Sequence, residues 1–290
     1  MSHKEIFMQK PYLKWPGSKT KLVEEILKDV VPEQVTRFIE PFGGTGVVAL
    51  NFALLYPEKE VVWNDFNEDL LLSHARAISK PKGFIKDLEN LFVDSNRNQE
   101  TYNALRKEFN DLALKPSSTA QQKNRKAALF VYLNRHCFNG ICRYSQKGLF
   151  NTPFGKYKTV YLPENEIMAF SKALKKATLK SGGFLPLLDM SGPGDFVYCD
   201  PPYAPLSETA NFTAYSSGAF GEKEQRALAE AARNAAKRGA VVSISNHDTP
   251  FTREIYQGAK IRSLLVNRSV SASGASRGKA KELIAVFMPE

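Results

Sequence analysis

From Leu112 to Pro163 the chain has no aspartate or glutamate, although acids are frequent elsewhere in its 290 residues. The same stretch holds Lys115, Lys123, Arg125, Lys126, Arg135, Arg143, Lys147, Lys156 and Lys158, so it alone carries +9 against a formal net charge of +10. A solvated face usually mixes both signs. One sign only, with aromatic residues between the cations, suggests a track for a phosphate backbone. Long apolar runs are also missing. The longest, Ala127 to Leu133, is far too short to span a bilayer. Met1 to Lys10 has no signal-peptide core. Cysteine is scarce, and Cys137, Cys142 and Cys199 form neither a disulfide framework nor a metal-ligand pattern. The expectation is a cytoplasmic chain without a bound metal. Apolar residues at 43% and charged residues at 24% are ordinary for a globular protein. The length suffices for one large domain, or one domain carrying an insertion.

The chemistry concentrates in Asp195 to Tyr203. Phe196 to Cys199 is an apolar, aromatic run bounded upstream by Ser191-Gly192-Pro193-Gly194, as expected of a buried strand. Ligands of open α/β sheets lie outside the carboxyl ends of such strands, where Asp200 would sit. Pro201 and Pro202 fix φ and remove two backbone donors, leaving carbonyls that only accept. Tyr203 adds an aromatic face. A carboxylate, an acceptor-only turn and a stacking surface suit an exocyclic amino group on a flat ring.

Upstream, Tyr12 to Lys19 leads through Pro16-Gly17-Ser18 into an amphipathic helix ending near Lys28. Lys19 in a first helical turn opposes the dipole, and a ligand carboxylate is one reason for it. Arg37 to Phe42 reads as a strand running into Gly43-Gly44-Thr45-Gly46, with a helix from Val47 to about Leu55. Gly44, Gly46 and Ala49 fit the dinucleotide fingerprint formally, and Asp65 ends the next strand where an acid takes ribose hydroxyls. A nicotinamide dehydrogenase therefore competes at this point. The Asp-Pro-Pro-Tyr turn separates the two, having no role in hydride transfer.

Asn67 to Ala113 has helical patterning, Lys115 to Thr119 is a linker, and Gln121 to Arg135 is a further helix. Gln146-Lys147-Gly148 between aromatic flanks predicts a β-hairpin. In this region Arg143 can make a bidentate hydrogen bond to guanine and Asn139 to adenine, while Phe138 and Tyr144 can wedge or stack between bases. Pro163 to Lys176 predicts a helix returning to the sheet, and Ala204 to Ala219 a polar, aromatic flank of the target pocket. Glu222 to Arg238 predicts an Ala-rich helix closed by Gly239. Strands are expected over Ala240 to Ser245, Ala259 to Asn267 and Leu283 to Phe287, with a basic loop over Ser271 to Lys279. His247 beside Asp248 reads as structural.

Lys14-Trp15-Pro16-Gly17-Ser18-Lys19, Glu40 to Gly46, Asn134 to Tyr144 and Asp200 to Tyr203 together resemble the bacterial and phage DNA adenine methylases that modify GATC, the Dam family. The likeness runs over nearly the whole chain, in the family's order of cofactor motif, recognition insert and catalytic motif. It implies a Rossmann-like α/β sheet binding S-adenosylmethionine, in catalytic segments 1–66 and 163–290, around an inserted helical and hairpin recognition domain, 67–162. It also implies methyl transfer to adenine N6 in double-stranded DNA by base flipping. Asp200, Pro201, Pro202 and Tyr203 fall on catalytic positions. Trp15, Lys19, Glu40, Phe42, Gly44, Gly46, Asp65 and Asp200 form the expected cofactor set. Lys14, Arg135, Phe138, Asn139, Ile141, Arg143 and Tyr157 form the DNA set, with Arg143 expected on a guanine. Phe138 stands where close bacterial relatives usually carry tyrosine, so a phenolic contact is lost while the ring still stacks. Pro16 and Ser18 replace the usual alanine and glycine of the opening motif.

Overall fold

The computed structural model describes residues 8–114, 119–206, 220–267 and 279–289. Three sequence expectations therefore lie wholly or mostly outside the described residues: the linker at 115–118, the pocket flank at 207–219 and the basic loop at 271–278. The sheet is built from β1 (Arg37–Glu40), β2 (Glu60–Asp65), β3 (Thr178–Ser181), β4 (Asp195–Cys199), β5 (Val241–His247), β6 (Lys260–Asn267) and β7 (Lys279–Phe287), in the order β3-β2-β1-β4-β5-β7-β6. The first five strands of that order pair in parallel, and β7 runs antiparallel between β5 and β6. Strand order reverses between β1 and β4, which makes their carboxyl ends the ligand crevice of this Rossmann-like sheet.

Alternation along the strands explains why both faces are covered. Phe38, Val61, Trp63, Phe196 and Tyr198 pack into one layer, with α1 (Val23–Leu27), α2 (Val47–Leu55), α3 (Glu68–Ser79) and, later in the chain, Ile167 and Phe170. Ile39, Val62, Val197, Cys199, Val242 and Ile244 face the other layer, against Leu228, Ala232 and Ala235 of the long helix Glu222–Lys237. Burial on both sides is what turns Phe196 to Cys199 into a continuous apolar run.

Between β2 and β3 the chain adds α4 (Pro81–Glu89), α5 (Gln99–Ala113), α6 (Ala120–His136) and α7 (Glu164–Leu174). Every residue of α6 from Ala127 to His136 is buried, and its start is fixed by a capping box between Thr119 and Gln122. His74 of α3 lies 4.3 Å from the Trp63 ring of β2 and stacks on Phe170 of α7, so α3 covers the sheet itself. One continuous core then joins the sheet to Phe109, Phe130 and Phe150 of the insert.

One element is new to the sequence reading and one is shorter than it suggests. β3 is a short, largely exposed edge strand without the apolar alternation that would announce it. The hairpin around Gln146 to Gly148 shrinks to the antiparallel bridges Cys137–Phe154 and Tyr144–Phe150. Backbone bonds remain from Ser145 to Leu149 at 2.8 Å and from Asn151 to Arg143 at 2.9 Å, and side chains brace them: Asn110 bonds both backbone groups of Phe150, at 3.1 and 2.9 Å, and the Thr152 hydroxyl links Ile141 and Arg143. Continuing past β3 come α8 (Leu185–Asp189), α9 (Glu222–Lys237) and α10 (Pro250–Ile255).

Candidate active site

The turn that follows β4 is held from behind. Asn246, fully buried at the end of β5, accepts from the Ala204 amide at 2.9 Å and donates to the Gln225 carboxamide of α9 at 3.0 Å. Gln225, also fully buried, donates to the Pro202 carbonyl at 2.7 Å. Among the described residues the Pro201 carbonyl has no such partner. His247 donates from Nδ1 to the Ala204 carbonyl, 2.7 Å away, and Asp248 pairs with Arg253, so both serve structure. Asp200 is placed at the crevice, its side chain 24% exposed, with Oδ1 3.1 Å from the Lys19 ammonium. The same ammonium lies 4.6 Å from the Tyr203 ring centroid.

Three carboxyls converge on this edge from neighbouring strands: Glu40 ends β1, Asp65 ends β2 and Asp200 follows β4. Burial pushes all three above the usual carboxylate range. Glu40 is raised furthest, the charges of Asp200 and Asp65 adding to its desolvation, although it accepts from the Ala49 amide in the first turn of α2. Lys19 opposes the rise at Asp200. Asp65 accepts from the Gly44 and Asn67 amides, both at 2.8 Å, which aims its two oxygens without exhausting their lone pairs.

The glycine loop is bare for a packing reason that spacing alone does not reveal. A Cβ on Gly43 would fall 1.4 Å from Trp63 Nε1, and one on Gly46 would fall 2.6 Å from the same ring. Trp63 thus underlies the loop, while Trp15 lies beside Gly44 on its other side, 3.7 Å from where a Cβ would stand. Phe42 is half-buried in an aromatic cluster with Phe184 and Phe220, at 5.2 and 5.5 Å. The sequence reading missed Phe66. It directly follows Asp65 and is 81% exposed, a large apolar ring left uncovered beside the crevice. Its only sequence signal was its place after the strand-ending acid.

The expected DNA-contacting residues separate into a surface set and a buried exception. Asn134, fully buried, clamps the loop at Gly140 to the opening segment by accepting from the Lys14 amide at 2.9 Å and donating to the Lys14 and Gly140 carbonyls. Lys14 is half-buried, its ammonium on the Arg135 carbonyl at 3.0 Å and 3.8 Å from the Tyr157 ring centroid. Phe138 is half-exposed, Asn139 is exposed at a positive φ of 53°, and Ile141 is half-buried beside them. Arg143 is exposed and braced twice by Asn151, with Nε on the side-chain oxygen at 2.7 Å and Nη2 on the carbonyl at 3.4 Å. Arg135 is the exception. It is 4% exposed and donates to the Tyr12 and Tyr161 carbonyls, which removes it from any surface that DNA could touch. Tyr144, suggested above as a wedge, donates to Asp69 at 2.9 Å and packs edge-on to Phe150. The acid-free stretch is less basic outside than its composition implies. Arg125 forms a two-bonded pair with Glu108 and Lys126 an ion pair with Asp69, while Lys123, Arg143, Lys147, Lys156 and Lys158 remain exposed.

A family model described as D12 class N6 adenine-specific DNA methyltransferase matches residues 15–270. A DNA adenine methylase of Vibrio cholerae is 39% identical over 97% of this chain and 97% of its own length. One from Haemophilus influenzae is 39% identical over 96% of this chain and 93% of its own. One from Escherichia coli is 38% identical over 96% and 95%.

Proposed function

Since the chain belongs to the D12 class of N6 adenine-specific DNA methyltransferases, we propose that it methylates adenine within GATC after flipping the base from the duplex, using S-adenosylmethionine. The observation that carries this reading is the meeting of Asp200, Tyr203, Glu40, Asp65 and Gly44 at the carboxyl ends of β4, β1 and β2, on both sides of the strand-order reversal. The residues fit the cofactor chemically. A sulfonium and an ammonium group suit a basin of three carboxyls, a ligand carboxylate suits Lys19, ribose hydroxyls suit the oriented Asp65 oxygens, and an adenine ring suits exposed Phe66. S-adenosylmethionine supplies an electrophilic methyl group.

The remaining chemistry falls to the chain. A base inside a duplex is out of reach, and extruding it costs about a few kcal/mol. Lys14 of the opening segment and Phe138, Asn139, Ile141, Arg143 and Tyr157 of the insert supply the phosphate and base-edge contacts that offset that cost. Arg143, braced by Asn151, is assigned to a guanine. Tyr203 stacks on the extruded adenine. Asp200 and the Pro201 carbonyl accept its two amino hydrogens, which draws the N6 lone pair out of conjugation and towards the methyl group. Positioning and preorganised acceptors supply most of the acceleration. The protein acts in the cytoplasm, where its DNA substrate lies.

The test is expression in a methylation-deficient host, followed by digestion of its DNA with paired endonucleases that distinguish methylated from unmethylated GATC. Protection is expected from the natural chain and none from Asp200→Ala, whose duplex affinity stays largely intact. Turnover retained by Asp200→Ala would overturn the assignment of Asp200. Adenine methylation outside GATC would overturn the site.

A further inference from the structure

Tyr203 is fixed by three side chains from three separate parts of the fold. Lys19 covers its face at 4.6 Å, and His247 of β5 meets it edge-on at 4.9 Å and 79°. Glu282 of β7 accepts from its hydroxyl at 3.1 Å. Glu282 reaches the active edge only because β7 is antiparallel. Its register sets Glu282 directly opposite His247, so two cross-strand neighbours grip one ring. Glu282 also faces Asp200, and its charge makes ionising that carboxyl harder. An acid beside the reacting acid is electrostatically unfavourable, and sheet pairing alone does not call for one, since a strand edge accepts many polar residues.

We propose that Glu282 is a positioning residue for methyl transfer: its carboxylate holds the Tyr203 phenol so that the ring meets the target adenine at a set angle. The inference rests on the assignment of Tyr203 as the stacking surface and adds the group that aims it. Lys19 on its face and His247 on its edge restrain the ring's spin about its long axis, whereas the bond to Glu282 restrains the swing of its hydroxyl end. Acceleration that depends on alignment is sensitive to such a swing, a misplacement of about 1 Å costing on the order of a hundredfold.

The experiment measures single-turnover methylation of a GATC duplex, duplex affinity and thermal unfolding for Glu282→Ala, Glu282→Gln, Tyr203→Phe and the double variant Glu282→Ala with Tyr203→Phe. Glu282→Ala should slow the chemical step by roughly ten- to a hundredfold, with little change in duplex affinity. Glu282→Gln, whose amide oxygen still accepts from the phenol, should recover most of that loss. Tyr203→Phe should be slowed to a similar degree, and the double variant no further than either single change. A Glu282→Ala variant as fast as the natural chain would overturn the proposal, as would losses that multiply in the double variant. If Glu282→Ala unfolds, Glu282→Gln and Tyr203→Phe decide it: a fast Tyr203→Phe overturns the proposal. Failure of the functional reading is distinct, because the natural chain itself would then leave adenine unmethylated.

Discussion

Arg135 and Arg143 stand eight residues apart in the same acid-free stretch and are put to different uses. Arg135 closes the seam between the opening segment and the insert, its guanidinium on two backbone carbonyls and 4.3 Å from the Tyr161 ring centroid. Removing it leaves the buried Tyr12 carbonyl unpaired, which costs about 1–3 kcal/mol. Arg135→Ala should therefore lower the urea midpoint and, once folded, still discriminate between sequences. Arg143→Ala should leave the urea midpoint nearly unchanged but lose about 1–3 kcal/mol of binding at one base pair, read as relaxed specificity on duplexes altered one pair at a time. An Arg135→Ala protein of undiminished stability and uniformly weakened DNA binding would reverse the two roles. Composition had made the arginines equivalent, because burial is decided by partners such as Tyr12 that lie more than a hundred residues away. Asp200 and Asp65 were legible because each ends a recognisable strand. Gln225, Asn246 and Glu282 were not, since a polar residue in a helix or strand looks solvated until the sheet brings its partner close.

At the scale of elements, the site is a turn after one strand clamped by the helix and strand that follow it. α9 was readable almost to its ends, expected over Glu222 to Arg238 and observed as Glu222–Lys237, because its apolar stripe is continuous. Patterning marks which face of α9 is buried. It does not show that Gln225, in the first turns of that face, is a clamp rather than a solvent group. Its bond to Pro202 and its bond with Asn246 connect α9, the turn and β5 in one buried chain, where each lost partner strands another polar group. Gln225→Ala frees the Pro202 carbonyl to compete with Pro201 as the acceptor and loosens the turn. The expected outcome is a kcat lower by roughly tenfold or more, with KM for DNA little changed and a modest fall in melting temperature. Equal kcat in Gln225→Ala and the natural chain would show that the turn holds its shape without the clamp. β3 was illegible for a related reason, since an exposed edge strand needs no apolar alternation. The hairpin turn at Gln146 to Gly148 was readable, but not the Asn110 side chain of α5 that braces it.

Across the whole molecule, two buried histidines tie the crevice and the recognition region to pH. His74 of α3 has Nδ1 2.8 Å from the Tyr12 hydroxyl and donates from Nε2 to the Gly44 carbonyl at 3.0 Å, so in the neutral ring Nδ1 accepts from Tyr12. Burial lowers it from 6.5 to about 3. His136, at the end of α6 and stacked on Tyr132 at 4.0 Å, is lowered to about 4 by the same cause. Between pH 6.5 and these values the unfolded chain binds protons that the folded chain does not, so stability falls as acid is added. The slope is about 1.4 kcal/mol per pH unit for each histidine. The carboxyls of Glu40, Asp65 and Asp200 work in the opposite sense. Raised in the folded state, they contribute stability at low pH that is lost as pH rises through their shifted values. The net curve therefore mixes both signs, and the difference between the natural chain and His74→Gln isolates one of them. Urea midpoints measured from pH 8 to pH 4.5 should converge as pH falls, the variant less stable at neutral pH and its curve shallower below pH 6.5. Parallel curves would mean that His74 is already charged in the fold, donating from both ring nitrogens to the Gly44 carbonyl and the Tyr12 hydroxyl.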